Sequence, residues 1–332
     1  MSENNLDFLA IGDVVDDAFI GLKDAKINCD MQRGQEYLCV RFGDKIPYES
    51  VTVVQGVGNS PNASVSAARL GLNSGLLSYV GKDKEGQEII ETLKKQGVNT
   101  DMIFAQEGKK SNYHYVLRYE EERTILVKHE YYDYDLPNIG QPKWIYLSSL
   151  AENSLPFQHQ IASYVKTNPE IKMAFQPGTF QIKQGVEELK DIYEASELFF
   201  CNTEEARRVT GLKEAEIKDL LKAVNDLGPN IVVITDGPKG AYAYDGQETW
   251  YIPMYPDPKP PVDRTGAGDS FSSTFTAALA AGNDIPTAIS WGPINSMSVV
   301  QYIGAQEGLL SKEEILKFLE EAPANYKPEK II

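Results

Sequence analysis

Residues 75–97 read GLLSYVGKDKEGQEIIETLKKQG. The first six of them form a short apolar run, which is typical of a buried strand. Further along, Ile89, Ile90 and Leu93 share one face of a predicted helix over Gln87–Lys95, and a glycine follows as a stop signal. This stretch therefore predicts a strand followed by an amphipathic helix.

The same alternation of apolar runs and helical spacing continues through most of the chain, and from about residue 267 the pattern is helical only. The predicted strands are Phe8–Val14, Val51–Gln55, Gly75–Val80, Trp144–Leu150, Lys172–Phe175, Glu197–Cys201 and Asn230–Thr235. The predicted helices include Ser64–Leu70, Gln87–Lys95, Lys183–Tyr193 and Lys213–Val224. This alternation indicates an α/β fold with a mostly parallel sheet covered on both faces.

Two polar β segments interrupt the pattern. In residues 112–132, alternate side chains such as Tyr115 and His114 point to opposite faces, and residues 121–123 form a polar turn. Residues 17–50 contain similar extended runs. Strands this polar are unsuited to the middle of a buried sheet. We therefore expect a small β-sheet that projects from the main domain as a lid.

The charge balance disfavours several classes of partner. The 332 residues include 32 basic and 48 acidic side chains, which give a net charge of −16. Nucleic acids and anionic membrane surfaces bind clustered Lys and Arg, so neither is an expected partner. The cysteines Cys29, Cys39 and Cys201 lack CxxC spacing, and the polar start Met1–Asn5 does not resemble a secretory leader. We expect a soluble cytoplasmic protein.

The segment Asp263–Phe271, DRTGAGDSF, carries the strongest chemical signal. Small residues before a helix leave backbone N–H groups exposed, and the helix dipole adds about half a positive charge. Such a cradle suits the charge of a transferring phosphoryl group. Asp269 at its lip would repel a phosphate, but it can accept the proton of an attacking hydroxyl. Taken alone, these residues also fit a glycine turn capped by a carboxylate.

The same segment resembles the C-terminal signature of the ribokinase (PfkB) family of carbohydrate and nucleoside kinases, D-T/P-x-G-A-G-D. Further matches follow in the family's order over nearly the whole chain. The resemblance implies a ribokinase-like three-layer α/β/α domain over residues 1–332, with a discontinuous β lid from about 17–50 and 108–134. It implies that Asp269 is the general base, with an anion hole made by Gly266, Ala267 and Gly268.

Two N-terminal motifs resemble the acceptor-binding elements of the family. Residues 11–17, IGDVVDD, resemble its first strand and substrate aspartate. Residues 58–71, GNSPNASVSAARLG, resemble the block G-G-x-x-x-N-x-A…A-R-L-G, with Val57 in place of the first glycine. The implied acceptor-binding residues are Asp17, or Asp16 in its place, together with Gly58, Asn59 and Asn62.

Two further motifs resemble the nucleotide and metal elements. Residues 202–205, NTEE, match N-x-x-E, although Asn and Glu at this spacing also form a capping box. Residues 231–240, IVVITDGPKG, resemble the strand and turn beside the nucleotide, with Asp236 in place of an apolar or small residue. The implied nucleotide-binding residues are Asn202, Thr235, Gly237 and Gly240. The implied metal residues are Glu205, which would hold Mg²⁺ through water, and Asp263 and Thr265, which fit a monovalent cation such as K⁺.

Other classes of site lack their motifs. Neither the P-loop GxxxxGK[ST] nor the esterase motif GxSxG occurs. Pro61 occupies the third glycine position of the nearest dinucleotide fingerprint, which makes a dehydrogenase a poor second interpretation. The three histidines, His114, His129 and His159, lack the spacing of zinc ligands.

We therefore predict an ATP-dependent, Mg²⁺-requiring kinase that phosphorylates a hydroxyl, a primary alcohol, of a small sugar or sugar acid. A nucleoside kinase of the same family and a non-catalytic nucleotide- or sugar-binding protein are the alternatives. Arg264 stands where Thr or Pro is usual, and it either contacts a phosphate or an acidic substrate or points to solvent. The tyrosines between Tyr113 and Tyr134 either stack on a ligand or pack a sheet face. Lid strands of this family can pair between subunits, so a homodimer through the lid is a further expectation.

Overall fold

The described residues form one large sheet, a small four-stranded sheet and a separate two-stranded sheet of the third and fourth strands. The computed structural model describes three stretches, residues 6–30, 35–120 and 122–331. The sequence predictions that concern residues 1–5, 31–34 and 121 lie outside them. The strands are β1 (Phe8–Ile11), β2 (Val15–Leu22), β3 (Lys26–Asp30), β4 (Gln35–Cys39), β5 (Tyr48–Val57), β6 (Ser74–Gly81), β7 (Ile103–Gln106), β8 (Asn112–Tyr119), β9 (Glu122–Leu126), β10 (Trp144–Leu147), β11 (Lys172–Phe175), β12 (Leu198–Asn202), β13 (Ile231–Thr235), β14 (Ala241–Tyr244), β15 (Thr249–Ile252) and β16 (Glu329–Ile331). The helices are α1 (Asn59–Arg69), α2 (Lys84–Lys95), α3 (Leu155–Thr167), α4 (Thr179–Gln184), α5 (Lys190–Ala195), α6 (Thr203–Thr210), α7 (Ile217–Asn225), α8 (Ala267–Ala280), α9 (Ile285–Val299) and α10 (Lys312–Glu320).

The large sheet reverses its strand order next to β1. Its order is β16-β15-β14-β13-β12-β11-β10-β1-β6-β7, parallel from β13 to β7 and antiparallel from β13 to β16. The chain passes from β1 to β6 and β7 on one side, and later continues from β10 on the other. In open α/β sheets, ligands bind at the carboxyl ends of the strands beside such a reversal.

Side chains alternate along the central strands between two buried layers. Phe8 and Ala10 of β1 belong to the cluster that includes residues of α1, α2, α8, α9 and α10. Leu9 and Ile11 belong to the cluster that includes residues of α3, α5, α6 and α7. The sheet is therefore the middle of three layers. In the described stretches, every helix is too short or too polar to cross a membrane.

The small sheet has the strand order β5-β2-β8-β9 and presents two different faces. Phe19 of β2 lies opposite Val116 of β8, and both side chains are buried. The next residue pair, Ala18 and Tyr115, points the other way, and Tyr115 is exposed. We call the side of Phe19 and Val116 the inner face and the side of Tyr115 the outer face. The predicted alternation in residues 112–119 agrees with this register.

Two predicted strands are corrected by the structure. Val51–Gln55 lies within β5 of the small sheet rather than in the large sheet, because β5 pairs with β2. The β segment predicted over residues 112–132 is shorter, because its second strand, β9, ends at Leu126. Beyond it the chain returns to the large sheet, where the buried Tyr132 joins the core.

Two predictions about helices are also wrong. The expected single helix over Lys183–Tyr193 is two helices, because Gly185 adopts a φ of +88° and ends α4 at Gln184. The region after residue 267 is not wholly helical. Its last described residues form β16, which adds a strand to the edge of the large sheet beside β15.

Candidate functional site

The carboxyl ends of β1 and β10 are joined to the start of α1. Ser60 Oγ donates a hydrogen bond to the Ile11 carbonyl at 2.7 Å and lies 2.5 Å from Ser148 Oγ. Gly12 permits this approach, because a Cβ there would lie 2.4 Å from Ser60 Oγ. The first turn of α1 is therefore held at the strand reversal.

The residues of the predicted cradle lie at the N-terminus of α8. Gly266 has a φ of +81°, and a Cβ there would lie 2.3 Å from the Ala305 Cβ. A Cβ on Gly268 would have no heavy atom within 4 Å. The turn is thus crowded against Ala305 on one side and open to solvent at Gly268. Backbone N–H groups at the N-terminus of a helix can bind an anion.

Three side-chain amides donate hydrogen bonds to the Asp269 carboxylate in the first turn of α8. Asn59 Nδ2 lies 2.6 Å from Oδ1, and Gln176 Nε2 lies 3.1 Å from the same oxygen. Asn62 Nδ2 lies 2.9 Å from Oδ2. Two of the predicted acceptor-binding residues and the predicted base are therefore one hydrogen-bonded group.

The amides are themselves held in orientation. Gln306 Nε2 donates to Asn62 Oδ1 at 3.0 Å, which turns the Asn62 amide nitrogen toward Asp269. Tyr146 donates its hydroxyl to Gln176 Oε1. Burial, reinforced by the charge of Asp269, raises the pKa of Tyr146 well above its ordinary value, so this hydroxyl remains a donor.

These supporting residues, Gln176, Gln306 and Tyr146, are not among the predicted site residues. Gln176 could have been predicted from its position, because it directly follows β11. Polar side chains at the carboxyl ends of parallel strands lie at the edge of the sheet where ligands bind. Gln306 and Tyr146 carry no local signal. Gln306 lies in an irregular segment, and Tyr146 reads as an ordinary aromatic residue of a buried strand.

Asp16 and Asp17 occupy opposite faces of β2. Asp16 Oδ1 accepts the Gly56 N–H at 2.9 Å, and burial raises the pKa of Asp16 to about 6. Asp17 faces His114, its register partner on β8, with Oδ1 3.5 Å from His114 Nδ1. The Asp16 carboxylate is therefore bonded to the backbone of β5. Of the two predicted alternatives, this favours Asp17 as the carboxylate that would bind the hydroxyls of the phosphate acceptor.

A further carboxylate, Asp13, lies next to the predicted acceptor loop. Gly58 has a φ of +122°, and a Cβ there would lie 3.0 Å from the Asp13 carbonyl oxygen. The Asp13 side chain is buried, accepts the Tyr134 hydroxyl at 2.8 Å and lies 3.1 Å from His129 Nδ1. None of Asp13, His129 and Tyr134 is a predicted site residue.

Asn202 and Glu205 form a capping box at the start of α6. Asn202 Oδ1 accepts the Glu205 N–H at 2.9 Å, and Glu205 Oε2 accepts the Asn202 N–H at 2.9 Å. Burial raises the pKa of Glu205, and the charge of Asp269 adds to the rise. Among the described residues, no group of three acidic, His or Cys side chains could hold a metal ion by itself.

A cavity lies between the turn after β13, the start of α8 and the C-terminal half of α9. Its polar edge includes Gly268 and three predicted nucleotide residues, Thr235, Gly237 and Gly240. Its lining residues in the described chain do not include Asn202. The remaining lining is largely apolar: Pro238, Ala241, Met254, Pro261, Ala267, Phe271, Pro293, Met297 and Val300. An apolar pocket that opens onto an anion cradle suits a nucleotide.

Arg264 is exposed and lines this same cavity. Burial raises the pKa of Asp257, another lining residue, and the positive charge of Arg264 opposes that rise. Arg264 therefore faces the cavity mouth and Asp257.

Asp263 closes the loop that precedes α8. Its Oδ1 accepts the Thr265 N–H at 3.0 Å and the Thr265 hydroxyl at 2.7 Å, and its Oδ2 accepts the Gly304 N–H at 3.0 Å. These bonds give Asp263 and Thr265 a structural role that needs no cation.

The chain is similar to known kinases along most of its length. The model of the family "pfkB family carbohydrate kinase" matches residues 28–312. The 5-dehydro-2-deoxygluconokinase of Bacillus subtilis (strain 168) is 29% identical over 297 residues, which cover 82% of this chain and 89% of that protein. The nucleoside kinase structure of Methanocaldococcus jannaschii gives a TM-score of 0.78 at 22% identity, with 96% of this chain and 99% of that chain covered. The Arabidopsis thaliana ribokinase structure, a complex with ribose and ATP, gives 0.79 at 18% identity, with 94% and 98% covered.

Gly266→Ala should destabilise the fold more than the same change at Gly282. Both glycines have a positive φ, +81° and +86°, but only Gly266 has a crowded Cβ position. The conformation alone costs about 1–2 kcal/mol in each variant, and the Ala305 contact should add about 1–3 kcal/mol at Gly266. Urea unfolding of both variants measures the difference. Equal losses of unfolding free energy would contradict the proposed crowding at the cradle.

Proposed function

The chain belongs to the PfkB family of carbohydrate kinases, and we propose that it transfers the γ-phosphoryl group of ATP to a primary hydroxyl of a small sugar. The family match confirms the resemblance seen in the sequence and makes the protein a phosphotransferase with an alcohol group as acceptor. The predicted ribokinase-like fold is confirmed as well. The observation that carries the proposal is the Asp269 carboxylate, held by three amides at the start of α8.

Asp269 is the proposed general base. A carboxylate can accept about four hydrogen bonds, and the three amides use three of these positions, two on Oδ1 and one on Oδ2. An acceptor hydroxyl can donate to the remaining position on Oδ2. As its oxygen bonds to the γ-phosphorus, the bond from that phosphorus to the β–γ bridging oxygen breaks, and the proton passes to Asp269 late in the transfer.

The proposed anion hole is the backbone of Gly266, Ala267 and Gly268, which would stabilise the charge on the transferring phosphoryl oxygens. Bound Mg²⁺ would supply further neutralisation of the phosphates. Glu205 is suited to hold it through water, because the capping box uses only one of its carboxylate oxygens. Asn202 would then act at the phosphate edge of the site, and its capping bond fixes its position.

ATP is the proposed donor, bound with its base in the apolar cavity and its phosphates toward Gly268. Thr235, Gly237 and Gly240 line the cavity edge, which supports their assignment to the nucleotide. The Arabidopsis ribokinase solved with ATP supports the same donor. We also propose that the reaction takes place in the cytoplasm, where ATP is available. The monovalent-cation site at Asp263 and Thr265 stays a prediction.

The small sheet is the proposed lid of one ribokinase-like domain. Its inner face carries Asp17 and His114, and the loop of Gly58 lies at the end of β5, so closure of the small sheet would cover the acceptor. Excluding water in this way protects the phosphoryl group from hydrolysis.

A homodimer through the outer face of the small sheet is also proposed. In the register of the sheet, Val53 and Tyr115 flank Ala18, and Leu126 lies opposite Tyr115. Val53, Tyr115 and Leu126 are 47%, 48% and 52% exposed. A contiguous apolar strip of this kind is typical of an interaction surface, and a second copy would present the same strip.

Asp269→Asn should abolish turnover while ATP binding persists. Loss of the base removes about 10² to 10⁴ in rate, because an amide cannot accept the hydroxyl proton. ADP release with Mg-ATP and a panel of sugars measures turnover, and calorimetry measures ATP binding. Asp284→Asn is the matched control, because Asp284 caps α9 through Thr287, where Asn serves equally well. Full activity of Asp269→Asn would contradict the assignment of the base.

Gly268→Ala should separate activity from stability. Gly268 lies in the first turn of α8, where Ala is the better helix former by about 1 kcal/mol and its Cβ meets no protein atom within 4 Å. We expect unchanged or higher unfolding free energy, but a fall of about 10- to 100-fold in kcat/KM for ATP, because the methyl group occupies the phosphate position. An unchanged kcat/KM would place the phosphoryl group elsewhere.

Val53→Glu should convert the proposed dimer to a monomer. A buried carboxylate at the centre of an apolar interface costs more than the contact contributes. Light scattering of the wild type and the variant measures the mass, with Leu212→Glu, which alters an exposed leucine on the large domain, as the control. A wild type that is monomeric at all concentrations would contradict the proposed interface.

A further inference from the structure

Three consecutive residues, Gly304, Ala305 and Gln306, each contact a different part of the molecule around the site. They lie in the connection between α9 and α10, outside any helix or strand, and all three are buried. We call them the 304–306 segment. Its contacts join the small sheet to the residues that surround the proposed base.

Gly304 packs against the inner face of the small sheet. It has a φ of +84°, and a Cβ there would lie 3.4 Å from Val54 Cγ2. Val54 lies on β5 and is the register partner of Asp17, so it belongs to the inner face. The Gly304 N–H donates to Asp263 Oδ2 at 3.0 Å. Gly304 therefore lies between the small sheet and the loop that precedes α8.

The start of α8 contacts the same segment at the next residue. A Cβ on Gly266 would lie 2.3 Å from the Ala305 Cβ. A second contact comes from Arg118 of β8, which lies on the inner face and donates from Nη2 to the Val262 carbonyl at 3.4 Å. Val262 directly precedes Asp263. The small sheet therefore contacts both chain segments that hold the start of α8.

Gln306 joins the small sheet to the first turn of α1 through one buried side-chain amide. Its Nε2 donates to the Gly56 carbonyl at 2.9 Å and to Asn62 Oδ1 at 3.0 Å. Gly56 lies on β5 and Asn62 lies on α1. A side-chain amide nitrogen carries two hydrogens, so both are used. Gln306 and Asn62 are only 5% and 4% exposed.

These hydrogen bonds continue to the proposed base. The bond from Gln306 occupies Asn62 Oδ1 and leaves Nδ2 directed at Asp269 Oδ2, to which it donates at 2.9 Å. On the other side, the Gly56 N–H donates to Asp16 Oδ1 at 2.9 Å, which fixes the Gly56 backbone. A displacement of β5 relative to α1 would therefore lengthen one of the two bonds of Gln306.

We propose that Gln306 is a positioning residue for phosphoryl transfer, and that it makes the orientation of the base depend on the position of the small sheet. It acts through Asn62, whose amide it holds against Asp269 while β5 occupies the position that the structure shows. The placement of the small sheet thus does more than exclude water, because it also completes the hydrogen bonds at Asp269. This inference rests on the proposed function and deepens it for the same site.

The first test is Gln306→Met, which keeps the length of the side chain but removes both N–H groups. We expect kcat to fall about 10-fold, the effect of one hydrogen bond to a charged group that is no longer held in place. KM for ATP should stay within about two-fold of the wild type, because Gln306 does not line the nucleotide cavity. ADP release with Mg-ATP and D-ribose, D-fructose, D-gluconate or adenosine measures both constants with the best acceptor.

Gln301→Met is the matched control. Gln301 is also buried and lies in the same connection, but its Nε2 donates to the Lys259 carbonyl at 3.3 Å, in the large domain. This variant also loses a buried hydrogen bond, yet its kcat should stay within about two-fold of the wild type. An equal fall of kcat in the two Met variants would show a general effect of destabilisation and would overturn the role of Gln306.

A double variant tests whether Gln306 acts through Asn62. Asn62→Ala removes the amide that Gln306 orients, so adding Gln306→Met to it should change kcat at saturating acceptor by no more than about two-fold. A further fall of about 10-fold in the double variant would contradict the proposed route.

Thermal unfolding shows whether each variant is folded. If Gln306→Met does not fold, Gln306→Ser leaves room for water at the two buried oxygens, and the same fall of kcat is expected of it. Wild-type kcat in a folded Gln306 variant would overturn this inference alone. No turnover of any acceptor by the wild type would overturn the proposed function together with it.

Discussion

Three side-chain amides converge on the two oxygens of Asp269, and they come from two different layers of the fold. Asn59 and Asn62 lie on α1, whereas Gln176 lies at the end of β11. The carboxylate itself belongs to α8. These hydrogen bonds therefore fix one helix relative to another and relative to the sheet. A displacement of any of the three elements would break at least one of them, so the position of the Asp269 carboxylate depends on the packing of all three.

Close backbone approach makes this convergence possible. Gly12 lets the first turn of α1 touch the end of β1, and Gly266 lets the start of α8 touch Ala305. At both places a methyl group would occupy the space of another atom. The hydrogen bonds at Asp269 depend on the close packing at these two glycines. The starts of α1 and α8 must lie near each other before Asn59 and Asn62 can donate to the Asp269 carboxylate.

The sequence predicts those parts of the structure that depend on neighbouring residues. Apolar runs predict the central strands, and the short motifs around Asn59, Asn202 and Asp269 lie where they are expected, at strand or helix ends. Gly185 shows the limit, because the apolar spacing continues across it while its left-handed conformation ends the helix.

Contacts between distant segments leave no such pattern. Gln306 orients Asn62 from 244 positions away, and His114 meets His129 only because β9 turns back beside β8. The spacing of these residues along the chain reflects loop lengths rather than chemistry. Gln176 is predictable only in part. The sequence shows that it follows a strand, but it does not show that its hydrogen-bond partner is Asp269.

The link between the large sheet and the small sheet is short. β1 ends at Ile11 and β2 begins at Val15, so Gly12, Asp13 and Val14 alone connect the large sheet to the small one at this point. Asp13 lies within that connection, and Asp17 lies just beyond it on β2. A ligand that bonds to Asp17 would therefore lie directly beside this three-residue connection. A change in the angle between the large and the small sheet would change the separation of Asp17 from Asp13, so binding at Asp17 and the angle between the sheets would be coupled.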